Sequence, residues 1–267
     1  MFKMRPYEPS RDARQVYALW QSALGHLWPL PYRIFEAVTT AIPAYQQGDH
    51  FVMVSDEQIV GWVATQLKQG VATIQLGGGF TYFWQGVPIN LPAAWSFFQV
   101  CGWQDNERGF DLSRDMADYA TPSWVYERLR AGITVVQAVP GDADAILAFE
   151  ERHFPEWLFY FQRVLRYQRY ADIVVAKDAR QGIVGSALVE DPRSPLYDMR
   201  WTMLLGENTG GIGTLGVAES MREQGIGLAL AARVSELLWQ RRLEKSYLGW
   251  MWLIDWYGKL GYKVWQE

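Results

Sequence analysis

An uneven internal repeat constrains this chain more than any other feature, because a duplication sets how many domains its 267 residues can form. Glu8-Pro-Ser-Arg-Asp12-Ala13 precedes a helical-looking stretch from Val16 to Leu24, and Val139-Pro-Gly-Asp142-Ala-Asp144-Ala145 precedes a similar one that starts at Ile146. An aspartate before such a stretch is a candidate N-cap. His26-Leu-Trp28-Pro29 then finds a partner in His153-Phe-Pro155-Glu-Trp157. Phe51 to Asp56 followed by Ile59 to Gly61 matches Ile173 to Asp178 followed by Ile183 to Gly185, and each reads as strand, turn, strand. Last, Phe97-Phe98-Gln-Val-Cys-Gly102-Trp103 matches Trp256-Tyr257-Gly-Lys-Leu-Gly261-Tyr262. The offsets are 130, 127 and 124 residues up to Gly61 and Gly185, then 159 between Gly102 and Gly261. The halves therefore run in step until the second strand, where the second gains 35 residues. This divides the chain into a first half at 1–115, a connection at 116–131 and a second half at 132–267.

The additional residues carry two overlapping glycine signals. Gly211-x-Gly213-x-x-Gly216 has the spacing of a dinucleotide fingerprint, but Gly206 to Gly210 before it is a turn, and Glu236 beyond it falls in a helix. The other signal is Arg222-Glu223-Gln224-Gly225-Ile226-Gly227-Leu228. Ile212, Thr214, Leu215 and Val217 before it read as a strand. Leu230, Ala231, Val234, Leu237 and Leu238 after it recur at helical period. A turn between strand and helix leaves the first helical amides without partners, and with the helix dipole they suit a pyrophosphate. Gly225 and Gly227 would remove side chains that block close approach, or Gly225 could serve only a plain turn that needs positive φ.

Leu215-Gly216-Val217, the Arg-x-x-Gly-x-Gly turn at 222–227 and Tyr257-x-Lys-x-Gly261-Tyr262 together resemble the GNAT superfamily of acyl-CoA N-acyltransferases. The full match covers about 132–267, with a weaker one over 1–110, so the whole resembles a tandem GNAT protein. The resemblance implies an α/β fold: two GNAT-like halves, each a splayed, mixed β-sheet flanked by helices. It implies acetyl-CoA as cosubstrate, with the backbone of Leu215, Gly216 and Val217 along the pantetheine arm. The amides of Arg222, Glu223, Gln224, Gly225, Ile226, Gly227 and Leu228 would cradle the pyrophosphate, and Tyr257 would act as general acid toward the sulfur. Amine attack on a thioester develops an oxyanion that a preset N–H stabilises, and a phenol can protonate the departing thiolate. The implied activity is acetyl transfer to a primary amine of a small molecule. The alternative is a non-catalytic acyl-CoA-binding sensor or scaffold. The general base is open among Glu190, Asp191, Glu207 and water.

The first half departs from the pattern. Between Gly61 and Gly102 it has no Arg-x-x-Gly-x-Gly turn, and Phe98 stands where the second half has Tyr257. Gly77-Gly-Gly79 precedes the strand-like Phe80 to Trp84 and reads as a bulge or close approach. This half is expected to bind no CoA and to serve the sheet or the acceptor cleft. His26, Trp28, His153, Trp157 and Trp201 could line that cleft, although packing is the simpler account of them. A net charge of -4 argues against nucleic acid as partner. Cys101 is the single cysteine, so an internal disulfide and a cysteine-based zinc site are excluded, and the three histidines form no metal motif. No membrane-spanning run and no signal-peptide pattern appear in the sequence, so a cytoplasmic protein is expected.

Overall fold

The computed structural model describes residues 2–26, 30–39, 50–64, 86–105, 107–197 and 205–266. Of the residues singled out above, Trp28, Gly77 to Gly79, Phe80 to Trp84 and Trp201 lie outside these. The chain divides into two compact units, Met1–Gln104 and Asp105–Tyr197 with Trp201–Glu267.

In the first unit β1 (Lys3–Pro6), β2 (His50–Ser55) and β3 (Gln58–Ala64) form an antiparallel sheet in that order. The predicted strand, turn and strand are present, and Asp56 and Glu57 turn the chain with φ of 50° and 64°. Helix α1 (Pro9–Leu24) packs on β3 and buries Asp12, Val16 and Trp20, which recur every four residues on one face. The helix starts with Pro at its first position, so Asp12 is inside the first turn and is not the N-cap. It still caps: its carboxylate accepts the Glu8 N–H at 2.8 Å and a two-point bond from Arg5 at 2.6 and 2.8 Å. Hydrogen bonding from Arg5, helped by Arg11 and the Glu8 amide, outweighs burial and holds this carboxyl well below the usual range. Helices α2 (Tyr32–Thr39) and α3 (Pro92–Val100) complete the described part.

The second unit is a seven-stranded sheet in the order β10-β4-β9-β8-β7-β6-β5. Its strands are β4 (Phe110–Asp115), β5 (Ile133–Gln137), β6 (Ile173–Asp178), β7 (Gly182–Glu190), β8 (Thr209–Val217), β9 (Lys245–Met251) and β10 (Lys263–Gln266). All neighbours are antiparallel except β8 and β9. The helices are α4 (Trp124–Glu127), α5 (Ala143–His153), α6 (Leu158–Arg166), α7 (Ile226–Gln240) and α8 (Ile254–Gly258). A Cβ on Gly185 would touch Leu230 and Ile226 of α7, whereas the next residue, Ser186, bonds Glu150 of α5. Successive strand residues face opposite ways, so α7 and α5 cover opposite faces. Helix α7 is buried on nearly all sides, and Ala229, Ala231 and Ala232 let it lie close to the sheet. Asp142 occupies the N-cap position of α5, but its carboxylate accepts the Val139 N–H and the Lys177 ammonium rather than an amide of that helix.

The division after Gln104 differs from the boundary at 115. Strand β4 precedes the rest of the second unit in sequence yet sits between β9 and β10. The segment 116–131 is no linker: Met116, Tyr119 and Val125 are buried in the second core. The last repeat is visible in the backbone. Gly102 and Gly261 both take φ of +85°, and the amide after each bonds back to Phe98 and Tyr257 respectively. Among the described residues no helix is long and apolar enough to cross a membrane.

Removing the Asp12 charge leaves Arg5 without its partner. Asp12→Asn is expected to lower stability by about 2–3 kcal/mol at pH 7. Because the folded carboxyl titrates below the unfolded one, the difference persists above about pH 4 and shrinks below it. Urea unfolding of the full chain across pH measures this, and equal midpoints at pH 7 contradict it.

Candidate active site

Strands β8 and β9 pair in parallel at only three positions, Thr209 with Lys245, Gly210 with Ser246 and Gly211 with Tyr247. Beyond them Ile212 to Val217 and Leu248 to Met251 have no ladder across the gap. Each strand carries a bulge just past the parting. Between Leu188 and Ser186 of β7, β8 runs from Gly213 to Gly216 with one residue extra, and Thr214 takes φ of 42°. Between Leu112 and Phe110 of β4, β9 runs from Leu248 to Met251, and Trp250 takes φ of 55°. Bulges bend and twist a strand locally, so the two edges turn away from each other. Asp111 pins the second bulge by accepting the Trp250 N–H at 2.9 Å. Burial raises this carboxyl to about 6, against the bonds from Trp250 and Tyr247. The result is a wedge whose walls are strand edges with free backbone groups.

At the end of β8 the chain turns through Ala218 to Gly225 into α7. Glu223 and Gly225 take φ of 64° and 79°. Among the described residues, the amides of Glu223, Gln224, Gly225, Ile226, Gly227 and Leu228 donate to no protein acceptor, while that of Arg222 bonds the Glu219 carbonyl at 3.2 Å. Gly225 takes the positive φ of the plain-turn alternative, and both glycines also meet close neighbours. A Cβ on Gly225 would lie 2.6 Å from the Arg128 carbonyl oxygen, and one on Gly227 would lie 3.3 Å from the Trp256 ring. Their bare faces thus clear the protein's own backbone and an indole. The turn is held from behind, since Arg130 donates to Gln224 through its amide at 3.2 Å and its guanidinium at 2.9 Å.

Around Gly227 the Trp256 ring and the Val217 side chain meet, so α8 lies against the end of β8 and the mouth of α7. Tyr257 follows Trp256, edge-on to it at 4.6 Å. Its ring is buried, and burial, with nearby Tyr262 adding, pushes its phenol above the ordinary tyrosine range. Burial likewise raises Tyr262 to about 12, and its hydroxyl meets Ser235 of α7 at 2.9 Å and Ser246 of β9 at 2.7 Å. Both phenols stay protonated at neutral pH. Strand β4 braces α8, because Arg114 donates to the Leu260 carbonyl.

The structure therefore brings Val217, the turn at 222–228 and the helix carrying Tyr257 to one place. The suggested bases fare unequally. Asp191 is fully buried among Arg193, Arg241 and Arg169 at 3.0, 2.8 and 3.7 Å. Burial raises its pKa, but Arg193, through its side chain and amide, and Arg241 outweigh it and hold the carboxyl low. It is a structural ion-pair centre. Glu207 is an exposed turn residue. Glu190 is buried on β7, where a Cβ on Gly213 would collide with its carboxylate. His153 and Trp157 pack on Phe154, the latter stacked at 4.7 Å, and Phe154 fills the space a Gly216 side chain would need.

Residues 143–262 match the model of the acetyltransferase (GNAT) family. Among solved structures, the chain is similar over its whole length to a GCN5-related glucosamine N-acetyltransferase region in a fungal multi-domain GH3 β-N-acetylglucosaminidase, at 28% identity and a TM-score of 0.86. It spans 37% of that protein's length. A GCN5-related N-acetyltransferase from Sphaerobacter thermophilus has the same fold at 16% identity and a TM-score of 0.64, over 99% of this chain and 93% of the other. A tandem GNAT protein from the clavulanic acid biosynthesis pathway aligns at 15% identity and a TM-score of 0.58, over 99% and 95%. No curated protein matches the chain.

Two buried acids of the second unit escape sequence reasoning. Asp111 lies in a short polar strand assigned to the other half. Glu150 shares the buried face of α5 with Ile146 and Phe149, and a charge on an apolar stripe is the signal that could have found it.

The Asp111 geometry is testable. Asp111→Asn keeps the acceptor for Trp250 and sheds a buried charge, so it is expected to match or exceed wild-type stability at pH 8. Asp111→Ala should lose about 1–2 kcal/mol. Since the folded carboxyl titrates above the unfolded one, wild-type stability should fall relative to Asp111→Asn as pH rises from about 4 to 6, by about 2 kcal/mol. Unfolding at pH 4, 6 and 8 decides it; equal losses in both variants at pH 8 would overturn the assignment.

Proposed function

We propose that the second unit transfers the acetyl group of acetyl-CoA to a primary amine of a small molecule, with an amino sugar of the glucosamine type as the acceptor. The observation that carries this reading is the parting of β8 from β9 directly before a turn of free amides. In it the pantetheine arm would run along Leu215, Gly216 and Val217 as an added strand, and the pyrophosphate would lie on the amides of 223–228 at the start of α7. The open edge of β8 supplies N–H groups to the oxyanion that forms when the amine attacks. Tyr257, protonated at neutral pH, gives its proton to the departing sulfur. Positioning carries much of the remaining rate. The amino-sugar acceptor is supported by the full-length likeness, at 28% identity, to the fungal glucosamine N-acetyltransferase region.

The first unit takes no part in CoA binding in this reading. Only 41 residues separate Gly61 from Gly102, against 76 between Gly185 and Gly261, and Phe98 has no proton to give.

Calorimetric titration of the full chain with acetyl-CoA is expected to give one saturable site, weakened at least about tenfold by Gly225→Ala, which strains a left-handed residue against Arg128. Absence of saturable binding to the wild type would remove the proposal. Tyr257→Phe should slow acetylation of glucosamine about a hundredfold with little change in acetyl-CoA affinity. Unchanged turnover would take Tyr257 out of the chemistry.

A further inference from the structure

Four buried acids of the second unit are held by arginines or backbone amides. Asp172 and Asp191 sit among arginines, Asp178 accepts the amides of Arg180 and Gln181, and Asp111 accepts the amide of Trp250. Glu150 is different. Its residue is 0% exposed, its Oε1 accepts one hydroxyl, that of Ser186, and its Oε2 is buried with no hydrogen-bond partner. A buried carboxyl held by a single neutral donor weakens a fold that an apolar residue of similar size would strengthen. Such an arrangement calls for a functional explanation.

Its position supplies one. Ser186 is the register partner of Gly216 on β8. Phe154, one helical turn along α5 from Glu150, lies against Gly216. The Glu150–Ser186 pair thus stands on the α5 face at the rung where β8 presents the edge assigned above to the acyl arm. The Ser186 hydroxyl, itself fully buried, points its hydrogen at Glu150, so its oxygen lone pairs are what it can offer to the N–H of an amine drawn in against β8.

We propose that Glu150 is the proton acceptor of the transferase, reached through the Ser186 hydroxyl, and that its occupant is the primary ammonium group of the acceptor. This inference rests on the acetyl transfer proposed above. The ammonium gives a proton to Ser186 Oγ as Ser186 gives its own to Glu150 Oε1, leaving a neutral amine and a neutral carboxyl. The amine lone pair forms the N–C bond at the thioester carbonyl, and the C–S bond breaks with its electrons on sulfur. The sulfur takes a proton from Tyr257, and the second proton lost by nitrogen restores Tyr257. Glu150 then releases its proton to water. One amine proton reaches solvent and one ends on the thiol, so the reaction balances.

The environment agrees with that role. Burial raises the carboxyl to about 8, Ser186 pulls it down, and Glu156 in the turn after α5 raises it further. No cation acts on it among the described residues. A base poised just above neutrality can both accept the proton and return it.

The test uses the full chain, acetyl-CoA and glucosamine, with thiol release as readout. For the wild type, kcat/KM should rise with pH to a plateau through an apparent pKa near 8. Glu150→Gln keeps the acceptor for Ser186, and it should retain acetyl-CoA affinity and stability, lose about a hundredfold in kcat and lose that limb. Ser186→Ala should lose a similar factor, and the double variant should be no worse than either, because the two residues act as one unit. Additive losses, or Glu150→Gln with wild-type kcat and an unchanged limb, would overturn the assignment. If the wild type binds acetyl-CoA but acetylates no hexosamine, the amino-sugar acceptor fails, and the Glu150 assignment fails with it only if a broader amine panel is also inert. Should Glu150→Gln not fold, Ser186→Ala decides: an unchanged pH limb and rate reject the relay.

Discussion

The chemistry of the second unit depends on a failure of strand pairing. Two parallel strands that begin in register would ordinarily satisfy each other to their ends. Here three rungs form, and then the extra residue in β8 and the kink at Trp250 in β9 rotate the facing edges apart. An unpaired edge normally invites another strand. Inside a sheet, bounded on both sides by paired strands, it becomes a slot with fixed depth and a fixed row of donors and acceptors. Everything that surrounds it serves to keep it open: Asp111 holds one bulge, Phe154 backs Gly216 at the other, and Arg130 fastens the turn at the far end.

Positive backbone angles recur at each of these control points. Thr214, Glu223, Gly225 and Trp250 all lie on the left-handed side, three of them with side chains that disfavour it. The surrounding hydrogen bonds and packing over-determine these residues, which is how local strain persists in a folded protein. The cost is concentrated where a ligand's backbone-like groups would be matched, while α7 behind the sheet is as regular and apolar as any core helix.

Much of this was legible beforehand. The hairpins at 50–64 and 173–190, the strand ending at Val217 and the helix after the Gly225–Gly227 turn follow from apolar runs, turn residues and periodicity. The short strings around Phe98 and Tyr257 match in sequence, and in the fold they occupy matching turns before a left-handed glycine. What stayed hidden has a common cause. The strand at 110–115 is mostly polar, and nothing local says that Asp111 will meet an amide from a residue 139 positions away. Gly225 takes the positive φ that its turn allows in sequence, but only the folded chain places the Arg128 backbone behind it. Asp191, near the site in sequence, is consumed by arginines from three separate elements.

The insertion of β4 between β9 and β10 sets where this chain can be cut. The family match begins at 143 and the repeat suggests a start near 132, yet the sheet draws a central strand from 110–115. A fragment started at either point would leave β9 and β10 facing a gap, with two long polar edges bare and the hydrogen bonds of Asp111 and Arg114 gone. Such edges are prone to pairing between molecules. The smallest piece that keeps all seven strands of this sheet starts before Phe110, so the structural unit is longer than its recognisable family segment.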